Sequence, residues 1–208
     1  MALDHVYWLG GSACAGKTAV ARLLAAAHGL ALYSCDERFE EHRRRADPAR
    51  HPRFCRVADR TPAQLWMPAA AVQAEELLAF YEEELDMVLA DLAAISGPVL
   101  AEGSGLLPEK IAAVLAAPHR AVWLVATPEF RLRSYPLRGG WVEDLLGQCP
   151  DPERAFANWM ERDTLVAAAI EREARSRELE VLTVDGRCTV EETAAEVARR
   201  LRLRRGKC

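Results

Sequence analysis

Gly11-Ser12-Ala13-Cys14-Ala15-Gly16-Lys17-Thr18 is the stretch that decides the reading of this chain, because it has the spacing G-x-x-x-x-G-K-T. Each fixed residue has a physical reason. The two glycines let the backbone wrap closely around an anion, so that successive N–H groups of residues 11–18 point inward at a phosphate. Lys17 reaches the β- and γ-phosphates, and the Thr18 hydroxyl is a ligand for Mg²⁺. The flanks agree with this. His5-Val6-Tyr7-Trp8-Leu9 reads as a strand, and residues 17–27 are mostly helix formers whose N-terminus would aim at the phosphates. The alternative for the same eight residues is a glycine-rich strand-to-helix turn that holds no ligand.

Outward from the loop, strand and helix patterns alternate to the end of the chain, which predicts a parallel sheet covered on both faces. Expected strands lie at about 5–9, 30–33, 99–102, 121–126 and 180–184. The helix after the loop should stop at Gly29, and a short helix is expected from Glu37 to Arg45. Residues 46–60 read as loop. Thr61-Pro62-Ala63-Gln64 opens a helix with a cap, a proline and a capping-box glutamine. That helix runs to about Ala94 unless Pro68 kinks or splits it. Another helix follows Pro108, and Thr127-Pro128 caps a further short one. Residues 136–152 read as a mobile Gly/Pro-rich segment. Asp151-Pro152-Glu153 starts a helix to about Arg177, and the capping box Thr189–Glu192 starts the last, to about Leu203. The tail Arg204–Cys208 is expected to fray.

The 208 residues, half of them hydrophobic, suffice for one α/β domain with a full core. No apolar run is long enough to cross a membrane. The first strand begins within a few residues of Met1, leaving no room for a signal peptide, so the expected location is the cytoplasm. The net charge of −4 argues against nucleic-acid binding, which wants a basic face. The six cysteines show no metal-ligand spacing and are expected to be reduced thiols. Cys14 sits near Lys17 and a helix N-terminus, where a lowered thiol pKa or a plain loop filler are the two readings.

In a parallel sheet, ligands gather past the carboxyl ends of the strands. The second strand delivers Asp36, a carboxylate able to orient an acceptor hydroxyl and take its proton, or else to cap the helix beginning at Glu37. The third delivers Glu102, suited to hold Mg²⁺ through water, or else to accept hydrogen bonds from nearby backbone. The fourth leads to Arg131, Arg133 and Arg138, with Arg154 and Arg162 beyond the Gly/Pro segment. Two or three of these five should touch phosphate, Arg131 and Arg162 first and Arg138 next. Acids flank Arg162 in Glu161-Arg162-Asp163, placed to orient or neutralise it. The locally basic segment 41–60 hints at a polar or anionic acceptor. Of Trp66, Phe80, Tyr81 and Trp141, the two tryptophans are favoured as pocket walls because they flank mobile segments.

Taken together, the chain resembles the small P-loop kinases of the nucleoside-monophosphate, shikimate and gluconate kinase group. The features that carry the resemblance are Gly11–Thr18, Asp36, Glu102-Gly103, the arginines and Asp185-Gly186. The Gly10-Gly11-Ser12 opening and Asp36 also resemble chloramphenicol phosphotransferase. The resemblance implies a three-layer αβα fold with a five-stranded parallel sheet in order 2-3-1-4-5, in one domain. It implies a lid at about 136–152 and an acceptor-binding insertion at about 37–95. It implies ATP and Mg²⁺ as cofactors, Asp185, Gly186 and Arg187 near the adenine, and a small-molecule acceptor, in a monomer or homodimer. Asp36-Glu37-Arg38 stands where shikimate kinases have Asp-x-Asp, and no Asn-Lys-x-Asp guanine motif occurs. The alternative in a different class is a nucleotide sensor that closes on ATP without transferring phosphate.

Overall fold

The computed structural model describes residues 3–203; the tail expected to fray lies outside them. The strands are β1 (Val6–Gly11), β2 (Ala31–Ser34), β3 (Val99–Glu102), β4 (Ala121–Ala126) and β5 (Glu180–Val184). All pair in parallel, in the order β2-β3-β1-β4-β5. Before β3 come helices α1 (Lys17–His28), α2 (Cys35–Arg45), α3 (Pro52–Ala58), α4 (Pro62–Trp66) and α5 (Ala70–Ala94). After it come α6 (Pro108–Ala112), α7 (Pro128–Ser134), α8 (Trp141–Leu146), α9 (Pro152–Ser176) and α10 (Val190–Arg200).

Residues alternate between the two faces of the sheet, as the pleat requires. Trp8, Val99, Ala101 and Trp123 face a core shared with α5 and α9. Leu9, Leu100, Val122 and Leu124 face a second core shared with α1 and α10. Because β3 and β4 are covered on both sides, every residue in them is buried, and their sequences read as unbroken apolar runs.

β1 extends to Gly11, two residues past the expected end, because Gly10 and Gly11 pair with Trp123 and Leu124 of β4. A Cβ on Gly11 would lie 1.9 Å from the Leu124 carbonyl oxygen, so this position admits only glycine. The helix α2 begins at Cys35 with Ser34 as its N-cap residue. Asp36 is therefore inside the first turn and is not the helix cap.

Residues 46–60 are not all loop. α3 forms because the Glu83 carboxylate of α5 accepts hydrogen bonds from the backbone N–H groups of Arg53 and Phe54, at 2.7 and 2.9 Å. Phe54 then stacks on Phe80 with ring centroids 4.7 Å apart. Pro68 does split the helix after Thr61, and the capping box on Gln64 is present. The carbonyls freed at the break are taken by side-chain amides. Asn158 Nδ2 donates to Trp66, Met67 and Pro68, and Gln73 Nε2 to Trp66 and Pro68. Within residues 136–152, the 3-10 turn Tyr135–Arg138 ends and α8 follows. No helix among the described residues is long and apolar enough to cross a membrane.

Candidate active site

The loop between β1 and α1 is held from below by β4. Ser12 N donates to Leu124 O at 2.9 Å, and the Ser12 hydroxyl accepts from Ala126 N at 2.8 Å. Cys14 (φ 58°) and Gly16 (φ 75°) both turn left-handed, the second at the N-terminus of α1. Such turns aim consecutive N–H groups into one concavity. Lys17 is buried, and its ammonium donates to Ser12 O at 2.7 Å and to Ser104 Oγ at 2.9 Å. Burial pulls the Lys17 pKa below the ordinary lysine value, against the charges of Asp36 and Glu102.

Above the loop lies a cleft of about 340 Å³. Its floor is residues 13–19, and its walls carry Asp36, Tyr81, Ser104, Tyr135, Arg138 and Arg162. Asp36 thus faces the same space as Lys17. Its carboxylate has no hydrogen bond or ion pair to any described residue. Glu102, 1% exposed, lies beneath the loop and accepts from Thr18 Oγ1 at 3.1 Å and Ser34 Oγ at 2.5 Å. Its partners are therefore two side-chain hydroxyls. Hydroxyl and carboxylate oxygens clustered beside a phosphate-binding loop are the hard donor set that suits Mg²⁺.

The arginines divide. Arg138 reaches the cleft, with Nη1 3.8 Å from Cys14 Sγ and its guanidinium over the rings of Trp141 and Tyr135. Arg162 reaches it from α9, over Trp66 at 4.5 Å, with Nε and Nη2 donating to Asp163 Oδ1. Asp163 also accepts from Tyr135 at 2.5 Å, so the acid beside Arg162 does orient it. Arg131 does not line the cleft. It is buried one layer behind the loop, donating to Thr164 Oγ1 and Ala126 O, a tether between β4 and α9. Arg133 and Arg154 also lie outside the cleft lining. The Cys14 thiol is pushed up by burial, more than Arg138 pulls it down, so the loop does not lower its pKa.

Asp185, Gly186 and Arg187 lie past the end of β5, outside the cleft. Asp185 accepts from Arg187 N at 2.9 Å, and Phe130 packs against Gly186. The basic segment 41–60 sends no arginine into the cleft lining, and Arg43, Arg45 and Arg60 pair with Asp59, Asp91 and Glu76. Trp66 is a buried partner of Trp159, stacked at 4.0 Å. Of the four aromatics singled out in the sequence, Tyr81 lines the cleft, beside Tyr135, and sequence reasoning ranked it behind the tryptophans. Its signal was weak, since one ring on a 25-residue helix is usually core.

The sheet order and the loop between β1 and α1 decide the architecture. The fold is that of the small P-loop kinases. A gluconokinase from Sinorhizobium meliloti 1021 is similar over 96% of this chain and 91% of its own, with 14% identity and a TM-score of 0.50. A shikimate kinase from Bacteroides thetaiotaomicron is similar over 95% and 98%, with 17% identity and a TM-score of 0.50. A tunicamycin resistance protein from Deinococcus radiodurans is similar over 99% of both chains, with 14% identity and a TM-score of 0.49. No protein-family model matches the chain, and no curated protein does. At these identities the likeness speaks for the fold, and the chemistry rests on the residues of the cleft.

Proposed function

We propose that this chain is a phosphotransferase that moves the γ-phosphoryl group of ATP to a hydroxyl of a small molecule. The observation that carries the reading is that Asp36 and Lys17 line one cleft floored by the G-x-x-x-x-G-K-T loop. In the reaction, the acceptor oxygen bonds to the γ-phosphorus as the bond to the β–γ bridging oxygen breaks, and ADP leaves. The acceptor proton passes to the Asp36 carboxylate and then to water. Asp36 also aligns the hydroxyl, which is most of what phosphoryl transfer asks of a protein.

Lys17 faces the β- and γ-phosphates, exchanging its contacts to Ser12 and Ser104 for phosphate oxygens. Thr18 and Glu102 would hold Mg²⁺, which when bound neutralises phosphate charge. Arg138, at the edge of residues 136–152, closes on the phosphates as a lid arginine. Asp185–Arg187 flank the adenine, and residues 37–95 carry the acceptor.

The test is Asp36→Asn. Turnover should fall by roughly two orders of magnitude or more, as for loss of a positioned base, while the affinity for an ATP analogue stays nearly unchanged. If the variant kept full transfer activity, Asp36 would have no catalytic part.

A further inference from the structure

The charges that line the cleft differ in what already pairs them. Lys17 and Arg138, around the loop, have no carboxylate hydrogen-bonded to them among the described residues. Asp36 on α2, Tyr81 on α5 and Arg162 on α9 line the same cleft. Of the three cations, Arg162 is already neutralised. Both Nε and Nη2 of Arg162 are spent on Asp163, and the pair is almost closed to solvent, with side chains 12% and 3% exposed. The indole of Trp66 covers a face of the guanidinium. Meanwhile the Asp36 carboxylate and the Tyr81 hydroxyl have no hydrogen-bond partner among the described residues. None of the arginines of segment 37–60 enters the cleft lining.

With ATP phosphates on Lys17 and Arg138, an acceptor bound beside Asp36 and Tyr81 meets one free carboxylate, one free phenol and no unpaired guanidinium. A second anion beside Asp36 would then face like-charge repulsion in a partly desolvated site. A neutral hydroxyl finds an acceptor in Asp36, and a second polar group finds a partner in Tyr81. An ammonium group would gain from Asp36.

We infer that the acceptor is a non-anionic hydroxyl compound, neutral or amine-bearing, and is neither a carboxylate nor a phosphate ester. This rests on the kinase reading above and narrows its substrate class. It withdraws the anionic acceptor suggested by the basic segment, none of whose arginines lines the cleft.

The experiment compares matched acceptors that differ in one charged group, with Mg-ATP as donor and the phosphorylated product detected by mass. The sets are D-glucitol, D-gluconate and D-glucamine; benzyl alcohol, hydroxymethylbenzoate and aminomethylbenzyl alcohol; and adenosine with AMP. The non-anionic members of whichever set is turned over should have kcat/KM about tenfold or more above the anionic member. Preference for the anionic member overturns the inference and leaves the kinase reading standing. Transfer to no member of any set overturns both.

A second measurement keeps the cause in view. Asp163→Asn, which frees Arg162 without changing side-chain shape, should move the anion-to-neutral ratio toward the anion by about tenfold. Tyr81→Phe should raise KM for the acceptor and leave KM for ATP unchanged. An unchanged ratio in the first and an unchanged acceptor KM in the second would remove Arg162 and Tyr81 from the acceptor site.

Discussion

At the scale of single residues, two basic side chains with similar sequence credentials have different work. Lys17 is held in the cleft by two hydrogen bonds that phosphate oxygens can replace. Lys17→Ala should lower the transfer rate by roughly two to three orders of magnitude, as for loss of a main electrostatic contact, measured by ADP release. Arg131 is buried, with bonds to Thr164 and Ala126 and no carboxylate partner among the described residues. Its truncation to alanine should cost about 2 to 4 kcal/mol of stability, by stranding buried acceptors and opening a void, read as a lower midpoint in urea unfolding. An Arg131→Ala protein of unchanged stability and lost activity would restore the residue to the phosphates. The distinction was not legible in sequence, because Arg131 and Arg138 both follow β4, and only the fold puts Arg131 of α7 behind the loop and Arg138 of the next 3-10 turn in the cleft. Lys17, Thr18 and Asp36 were legible because the loop spacing and the strand end fix where their backbones lie.

At the scale of elements, the proposed acceptor site depends on how α2 is seated on α5. His42 of α2 is fully buried between two carboxylates of α5, with Nδ1 2.9 Å from Glu84 and Nε2 3.1 Å from Asp91. Tyr33 of β2 shares Asp91, at 2.9 Å, and Arg45 closes the group at 2.7 Å. Burial opposes the charged imidazole, but the hydrogen bonds to Glu84 and Asp91 outweigh it and raise the His42 pKa above its ordinary 6.5. The folded state therefore binds more protons than the unfolded state in that window. Stability from this contact is complete below about pH 6.5 and falls as pH rises through the folded pKa. His42→Gln should flatten that slope in denaturant unfolding at a series of pH values; an unaltered slope would show that the folded and unfolded states hold the His42 proton equally. α3 and the clamp share a reason for having been illegible. Each depends on a carboxylate some thirty to fifty positions away, Glu83 for the N-terminus of α3 and Glu84 and Asp91 for His42. The capping boxes at Thr61 and Thr189 were legible because cap and partner lie three residues apart.

At the scale of the whole molecule, the parallel strands bring the loop, Asp36 and Glu102 together at their carboxyl ends, and α9 brings Arg162 across to meet them. A non-hydrolysable ATP analogue with Mg²⁺ should raise the melting temperature, and less so in Arg138→Ala if that arginine closes on the phosphates. The parallel sheet followed from the alternation of strand and helix patterns, and its order from the resemblance to the small P-loop kinases. Which charges in the cleft remain unpaired did not, because ion pairing in the folded state decides it. The account stands most directly on phosphoryl transfer itself. ATP labelled at the γ-phosphate, incubated with the wild-type protein, Mg²⁺ and the matched acceptors, should leave its label on an acceptor hydroxyl, and Asp36→Asn should abolish most of that transfer while still binding nucleotide. Nucleotide binding with no label on any acceptor, or full transfer by Asp36→Asn, would contradict it.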